Sequence, residues 1–267
     1  MQKSTTQLGP LETQLFAWIQ LKDRNLMRTG EASRIFGLTP ANETKLFSRL
    51  CRRQLALRLM NGLFLMPSKI PPGGKWGPNP YWVLAHLMNA VDAKYQVTGA
   101  AAFHRYGFSE QVPNQITVYN TKLSGRRKIG GTSYELIKVA ADRLGKIEML
   151  KINEGIDIPF SDAGRTLMDV LYDWSRFGAF PRVLDWIESR AKNKELVRNL
   201  IQATVEFSNI GTVRRVGYIL ENIGVNRQTL RPLTKQLTEA KSFIPLNPSK
   251  PKRGQLNKTW GLIINDQ

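Results

Sequence analysis

The stretch from Thr29 to Pro67 constrains the fold more than any other part of this sequence. Thr29 is placed to cap a short helix, and Gly37 stands where helices commonly end on a left-handed residue. The residues expected to face inward in this helix are Ala32, Ile35 and Phe36. Thr39-Pro40 then supplies an N-cap residue and a proline at the first helical position, which predicts a second helix running to about Arg53.

A hairpin is predicted directly after these helices. Two short apolar runs, Ala56–Met60 and Leu63–Pro67, are joined by Asn61-Gly62, and such a pair is the strongest short-range hairpin signal in a sequence. An amphipathic stripe before the pair predicts one more helix, with Leu11, Leu15, Trp18 and Ile19 facing inward. The order helix, turn, helix, hairpin is typical of a winged helix-turn-helix domain, predicted over residues 1–67.

The second helix of the pair has one apolar and one polar face. At about 100° per residue, Leu46, Phe47 and Leu50 share the inward face. Proteins of this type insert the N-terminal half of that helix into the DNA major groove, where Asn and Arg read base edges and Lys and Ser hold phosphates. The predicted DNA contacts are Asn42, Thr44, Lys45, Ser48, Arg49, Arg52 and Arg53 on the helix and Arg58 and Asn61 on the wing. The alternative is a basic face that is only solvated.

The charge balance favours a polyanionic partner. The 267 residues include 39 Lys and Arg against 21 Asp and Glu, a formal net charge of +18. The excess is denser in residues 1–80, which hold 12 basic and 4 acidic residues. Two further basic segments are predicted to make secondary DNA contacts: an exposed loop with Arg126, Arg127 and Lys128, and a tail with Lys250, Lys252 and Arg253.

The remaining composition narrows the protein class. Cys51 is the only cysteine, which excludes disulfides and a cysteine-based zinc site. The start of the sequence lacks the apolar core of a signal peptide, and no apolar run is long enough to span a membrane, so a cytoplasmic protein is expected.

A Pro/Gly-rich segment divides the sequence. Residues 68–80 hold four prolines and three glycines, a composition that resists helix and sheet and predicts a linker. Residues 81–160 alternate as short strands between short helices, and residues 161–267 carry helical stripes. The expected fold class is α+β: an N-terminal winged helix-turn-helix followed by a mixed domain with a small β-sheet and a C-terminal group of helices.

The sequence offers little support for catalysis, so no enzyme activity, cofactor or metal is expected. His86 and His104 lie in separate predicted helices without ligand spacing. Glu148 and Lys151 alternate onto opposite faces of a strand, unlike a nuclease pair. Asp169 and Asp173 share a helical face, but the nearby Arg165 and Arg176 predict surface ion pairs instead.

Several short motifs, taken in order, resemble the AbiEi-type antitoxins of type IV (abortive infection) toxin–antitoxin systems. The segment from Ser161 to Asp169 is similar to the family's serine–x–x–x–arginine–threonine–leucine–x–aspartate motif, and 211–224 to its arginine–arginine–leucine–glycine–tyrosine helix. The strand from Trp260 to Asn265 and the wing Gly62-Leu63-Phe64 resemble further family segments. The chain departs from the family at Phe64, usually tyrosine, and at Gly164, where many members carry an acidic residue.

The resemblance implies a transcriptional autorepressor that binds inverted repeats in its own promoter. It also implies that the region from 81 to 267 counters a co-encoded nucleotidyltransferase-type toxin without forming a stable complex. Two other hypotheses stay open on the residues alone. One is a protein-interaction module whose basic surface binds an acidic toxin directly, and the other is a nucleic-acid enzyme.

Overall fold

The computed structural model describes residues 8–70, 75–153, 155–180, 182–237 and 242–265 of an α+β protein with several sheets. Its contacts divide the chain into two compact units. Unit 1 comprises Met1–Ala93 with Arg127–Ser133 and Ile152–Ile156, and unit 2 comprises Lys94–Arg126, Tyr134–Lys151 and Asp157–Gln267. This division falls after residue 93, beyond the linker expected at 68–80, because the helix that follows that segment contacts the hairpin of unit 1.

Unit 1 combines four helices with a small antiparallel sheet in its described part. In chain order its elements are α1 (Pro10–Leu21), β1 (Leu26–Arg28), α2 (Glu31–Phe36), α3 (Pro40–Arg52), β2 (Leu57–Met60), β3 (Leu63–Leu65) and α4 (Pro80–Ala90). The predicted hairpin is β2–β3, and β1 joins it to give the order β1-β3-β2. β1 was not predicted, since three residues are too few to show an alternating pattern.

The core of unit 1 lies between α1 and α3. Leu46, Phe47 and Leu50 are buried, as predicted, and pack with Leu15 and Ile19 of α1. The Phe47 ring stacks on Phe64 of β3 with 4.2 Å between ring centroids, which fastens α3 to the hairpin. The prediction for Ile35 was wrong: it is 37% exposed, because α2 contacts the core through Ala32 and Phe36, which lie four residues apart on one side of the helix.

The cap of α2 also differs from the prediction. Gly30, not Thr29, is the N-cap residue, and its φ of 90° suits glycine. The first backbone N–H groups of α2 are satisfied from α3, where the buried Glu43 carboxylate accepts hydrogen bonds from Gly30 N, Ala32 N and Ser33 N at 2.8–3.2 Å. Glu43 therefore holds the two helices of the pair together.

Unit 2 is organised on a six-stranded sheet whose outer hairpin tip, Arg127–Ser133, is grouped with unit 1. Its elements are β4 (Tyr95–Thr98), α5 (Ala100–Arg105), β5 (Gln115–Asn120), β6 (Gly125–Ile129), β7 (Thr132–Lys138), β8 (Ile147–Lys151) and β9 (Asp157–Ser161), in the order β6-β7-β5-β4-β9-β8. β4 is parallel to β9 and antiparallel to β5. The predicted basic loop at 126–128 is instead part of β6, because Gly130 and Gly131 provide the positive-φ turn.

Helices and a small second sheet complete unit 2. They are α6 (Ala163–Tyr172), α7 (Trp174–Phe177), α8 (Arg182–Glu188), α9 (Lys194–Phe207), α10 (Ile210–Asn222), α11 (Arg227–Thr234), β10 (Ile244–Pro245), β11 (Gln255–Asn257) and β12 (Leu262–Ile264). The last of these helices, α11, ends at Thr234, shortly after Pro232.

Asp169 and Asp173 have different environments although both pair with arginines. Asp173 bonds Arg176 at the surface, as predicted. The prediction of a surface pair was wrong for Asp169, which is 1% exposed and bonds Arg165 Nε at 2.9 Å and Arg143 Nη2 at 3.0 Å. Thr98 of β4 bonds Asp169, and the Phe207 ring of α9 lies on the Arg165 guanidinium, so this side of α6 is covered by neighbours that a helical period alone does not reveal.

The crossing of α6 and α9 depends on Gly164. A Cβ at this position would lie 2.5 Å from the carbonyl carbon of Asn199 and from the backbone nitrogen of Leu200. Backbone atoms of a packed helix cannot move aside as a flexible side chain can. No acidic side chain of the kind seen in AbiEi-type proteins fits this packing.

Gly164→Ala is therefore expected to lower the free energy of unfolding by about 3 kcal/mol, near the upper end of overpacking costs. The sign is informative, because glycine-to-alanine changes inside helices otherwise stabilise. Thermal and urea unfolding measure the effect. Gly77→Ala is the control, since no atom lies within 4 Å of the added Cβ; equal stability of the two variants would contradict the close crossing.

Candidate nucleic-acid interface

The polar face of α3 is exposed along its length. Thr39 caps the helix by accepting a hydrogen bond from Asn42 N at 3.3 Å. The exposed predicted contacts on this face are Asn42, Thr44, Lys45, Ser48, Arg49 and Arg52. Thr44 Oγ1 donates to Pro40 O at 2.9 Å, so its hydroxyl proton is engaged within the helix. The face thus presents amide, hydroxyl and cationic groups opposite the buried Leu46, Phe47 and Leu50.

Two of the predicted arginines are held by α1. Arg49 Nε and Arg53 Nη1 each donate to the Glu12 carboxylate at 2.7 Å. The Arg49 side chain is 51% exposed and that of Arg53 33%, whereas Glu12 is 1% exposed. Arg53 follows α3 as its C-cap residue, so it lies at the end of the helix away from the N-terminal half.

The two residues predicted for the wing contact each other. Arg58 Nη2 donates to Asn61 Oδ1 at 2.7 Å, and both side chains are exposed. A bulge between Arg58 and Met60 shifts the register of β2 against β3. Between α3 and the β2–β3 hairpin lies a cavity of about 380 Å³ whose polar lining includes Thr29, Ser48 and Arg58. Hydroxyl and guanidinium groups of this kind bind phosphate oxygens.

The secondary contacts predicted in β6 divide between the units. Arg127 and Lys128 belong to unit 1, where they line a cavity of about 450 Å³ together with Arg58 and Asn61 of the β2–β3 hairpin. Arg126 belongs to unit 2 and has Nη2 3.9 Å from a carboxylate oxygen of Glu135. The sequence did not indicate that residues 127–128 would line a cavity with the β2–β3 hairpin, since more than sixty residues separate the two segments.

The predicted tail contacts are exposed residues of unit 2. Lys250, Lys252 and Arg253 lie between β10 and β11, and the turn is closed by a hydrogen bond from Lys250 N to Asn247 O at 3.2 Å. The Asn265 side chain also donates to Pro251 O at 2.9 Å, which orders this segment. Their contact with DNA stays a prediction.

Because two acidic side chains are buried, the surface of unit 1 is more basic than the amino-acid composition of residues 1–80 indicates. Of the four acidic residues before Pro80, Glu12 and Glu43 are each 1% exposed and bonded inside the unit. Sequence reasoning missed both glutamates, although a signal was present. Each glutamate is the first member of the buried stripe of its helix, whose members lie 0, 3, 4 and 7 residues along the chain. A glutamate on the inward face of an amphipathic helix requires a buried donor.

Two of the other groups considered for chemistry, His86 and Glu148, contact neighbouring side chains. No group of three or more His, Cys, Asp or Glu suited to a metal is found within the described ranges. His86 packs against the Trp82 ring with 4.2 Å between centroids, and burial lowers the pKa of its imidazole. Glu148 binds Arg105 Nη2 and the Tyr106 hydroxyl. None of the helices is both long and apolar enough to cross a membrane in the part of the chain that was searched.

Fold and surface together define an α+β protein with an exposed polar helical face beside a hairpin in its first unit. The crystal structure of the RV2827C protein from Mycobacterium tuberculosis is similar, with a TM-score of 0.64 over 96% of this chain and 92% of that chain. The two sequences are 14% identical, so the likeness concerns the fold alone. No family model and no curated protein matches the sequence.

Proposed function

We propose that unit 1 is a winged helix-turn-helix domain and that the protein is a sequence-specific DNA-binding regulator. The observation that carries this proposal is the polar and basic face of α3, exposed beside a hairpin that bears Arg58 and Asn61. A solvated helix surface does not require such a hairpin. The stacking of Phe47 on Phe64 supports a fixed geometry between recognition helix and wing.

In this proposal α3 enters the major groove with Asn42, Lys45 and Arg49 toward the base edges. Asn and Arg make the bidentate contacts that distinguish adenine and guanine, and Lys also reaches guanine or phosphate. The wing and the tip of the β6–β7 hairpin supply Arg58, Arg127 and Lys128 for the phosphate backbone. Electrostatic capture then precedes base readout.

The resemblance to AbiEi-type antitoxins extends the proposal beyond DNA binding. The protein would repress its own promoter at inverted repeats, and residues 81–267 would counter a co-encoded nucleotidyltransferase-type toxin without a stable complex. Co-expression with the product of the neighbouring gene tests this part. Growth that is restored by the full chain supports the antitoxin role, whereas persistent growth arrest contradicts it.

Salt-dependent DNA binding tests the proposed regulator. Fluorescence anisotropy measures binding of the full chain to a duplex from immediately upstream of its coding sequence and to a scrambled duplex of equal composition. With about 6–10 phosphates contacted, log K is expected to fall with log[salt] with a slope of about −5 to −9, and the upstream duplex should bind more tightly. Equal binding of both duplexes at every salt concentration would contradict sequence-specific recognition.

A further inference from the structure

Glu12 is a buried carboxylate whose main partners are arginines of the proposed recognition helix and its C-cap. Its Oε1 accepts from Arg49 Nε and its Oε2 from Arg53 Nη1, both at 2.7 Å, and Oε2 also accepts from Gly9 N at 3.1 Å. Burial acts to raise the pKa of this carboxyl, but the three hydrogen bonds outweigh it and the pKa lies below its ordinary value. The carboxylate is therefore charged at neutral pH.

Cohesion between α1 and α3 does not require this ion pair. The same two helices already share an apolar core that includes Leu15, Ile19, Leu46 and Leu50, each at most 1% exposed. A buried ion pair is often no more stabilising than an apolar pair of similar volume, because both charges must be desolvated. Its best-attested contribution is to select one arrangement among several.

Here the ion pair with Glu12 selects one orientation of the Arg49 guanidinium plane. Glu12 takes the Nε–H, which fixes the plane and leaves the two Nη groups without an acceptor among the described residues. The side chain is half exposed on the same face as Lys45 and Ser48. Bidentate recognition of guanine requires a guanidinium held in a defined plane at one base edge, whereas phosphate contacts are available along the whole backbone whatever the sequence.

We propose that Glu12 is a specificity-determining positioning residue that orients Arg49 for base readout and restrains non-specific binding to phosphates. One carboxylate offsets one of the two guanidinium charges, so α3 carries less free positive charge into non-specific contacts. This inference rests on the proposed DNA-binding function and concerns how that site discriminates among sequences. Glu12 itself touches no DNA in this scheme.

The test compares Glu12→Gln with Asp23→Asn in the full chain. Both changes remove one negative charge in or just after α1, but Asp23 is exposed, and its φ of 47° is one that asparagine tolerates. Affinity for the upstream and scrambled duplexes is measured over a range of salt concentrations. In Glu12→Gln the ratio of the two affinities should fall roughly tenfold, the scale of one base-reading side chain. For the same variant on the scrambled duplex, the slope of log K against log[salt] should become steeper by about 0.9, as for one additional phosphate contact.

Asp23→Asn should keep the wild-type affinity ratio. A Glu12→Gln variant that keeps both the wild-type ratio and the wild-type salt slope would overturn the inference, while a wild-type protein that does not discriminate would overturn the proposed function as well. Glu12→Asp separates position from charge, because it keeps the carboxylate but shortens it by one methylene. Glu12→Asp should therefore lower the ratio of the affinities for the upstream and scrambled duplexes, while its salt slope on the scrambled duplex stays that of the wild type. If Glu12→Gln does not fold, Glu12→Asp decides the question: an unchanged affinity ratio in that variant overturns the inference.

Discussion

Replacing Lys45, Arg49 and Arg52 together with alanine is expected to abolish binding to the upstream duplex at concentrations where the wild-type protein binds fully. All three side chains are exposed on the polar face of α3. A base-reading contact contributes about 1–3 kcal/mol, so losing the two proposed base contacts of Lys45 and Arg49 weakens binding by roughly thirtyfold or more, and losing a phosphate contact of Arg52 weakens it further. Electrophoretic mobility shift and anisotropy measure the loss, and the salt slope should flatten by about 1 for each phosphate contact removed.

The matched control removes three cations elsewhere. Arg227, Arg231 and Lys235 are exposed in or just after α11 of unit 2, and their triple alanine variant changes the net charge by the same amount. It should retain most of the specific affinity. Alanine favours helix, and Glu12 keeps its bond to Arg53 in the α3 variant, so circular dichroism should show a folded protein in both cases. Binding by the α3 triple variant at wild-type concentrations would show that α3 is not the recognition helix.

Replacing Asp169 with asparagine is expected to lower the free energy of unfolding by about 3–5 kcal/mol, the cost of breaking a buried ion pair. The carboxylate accepts hydrogen bonds from Arg165, Arg143 and Thr98. Arg165 is 0% exposed and burial lowers its pKa, so its charge would stay buried without an anion. Since small proteins are stable by only about 5–15 kcal/mol, this loss should be evident in urea unfolding.

Asp173→Asn provides the comparison four residues further along, at the C-cap of α6. Asp173 pairs with Arg176, but both side chains are partly exposed, at 26% and 38%. Exposed pairs contribute about 0–1 kcal/mol, so this variant should unfold close to the wild type. If both asparagine variants lost the same stability, the distinction between a buried cluster and a surface pair would be wrong.

Much of unit 1 follows from local sequence signals. Thr39-Pro40 and Asn61-Gly62 marked a helix start and a turn, and the apolar stripe at Leu46, Phe47 and Leu50 predicted which side of α3 is buried. These signals are local because capping, turn geometry and helical period involve residues within one or two turns. The predicted polar face of α3 is exposed for the same reason.

Long-range partners were not predictable from those patterns. The strand β1 forms only by pairing with β3. The N–H groups at the start of α2 are bonded by Glu43 of the next helix. Arg127, which is distant in sequence, lines a cavity with the β2–β3 hairpin. Each depends on distances that are set once the chain has packed. Glu12 belongs to the same class, since its partners lie 37 and 41 residues away.

Asp169 and Asp173 show what local sequence signals determine and what only tertiary packing adds. The sequence placed the two aspartates four residues apart, each with an arginine three or four residues away. Only the tertiary structure decided that one pair is covered by neighbouring elements while the other remains in water. The physical reason is that a helical period defines directions around an axis, whereas burial, and with it the energy of an ion pair, depends on what packs along each direction.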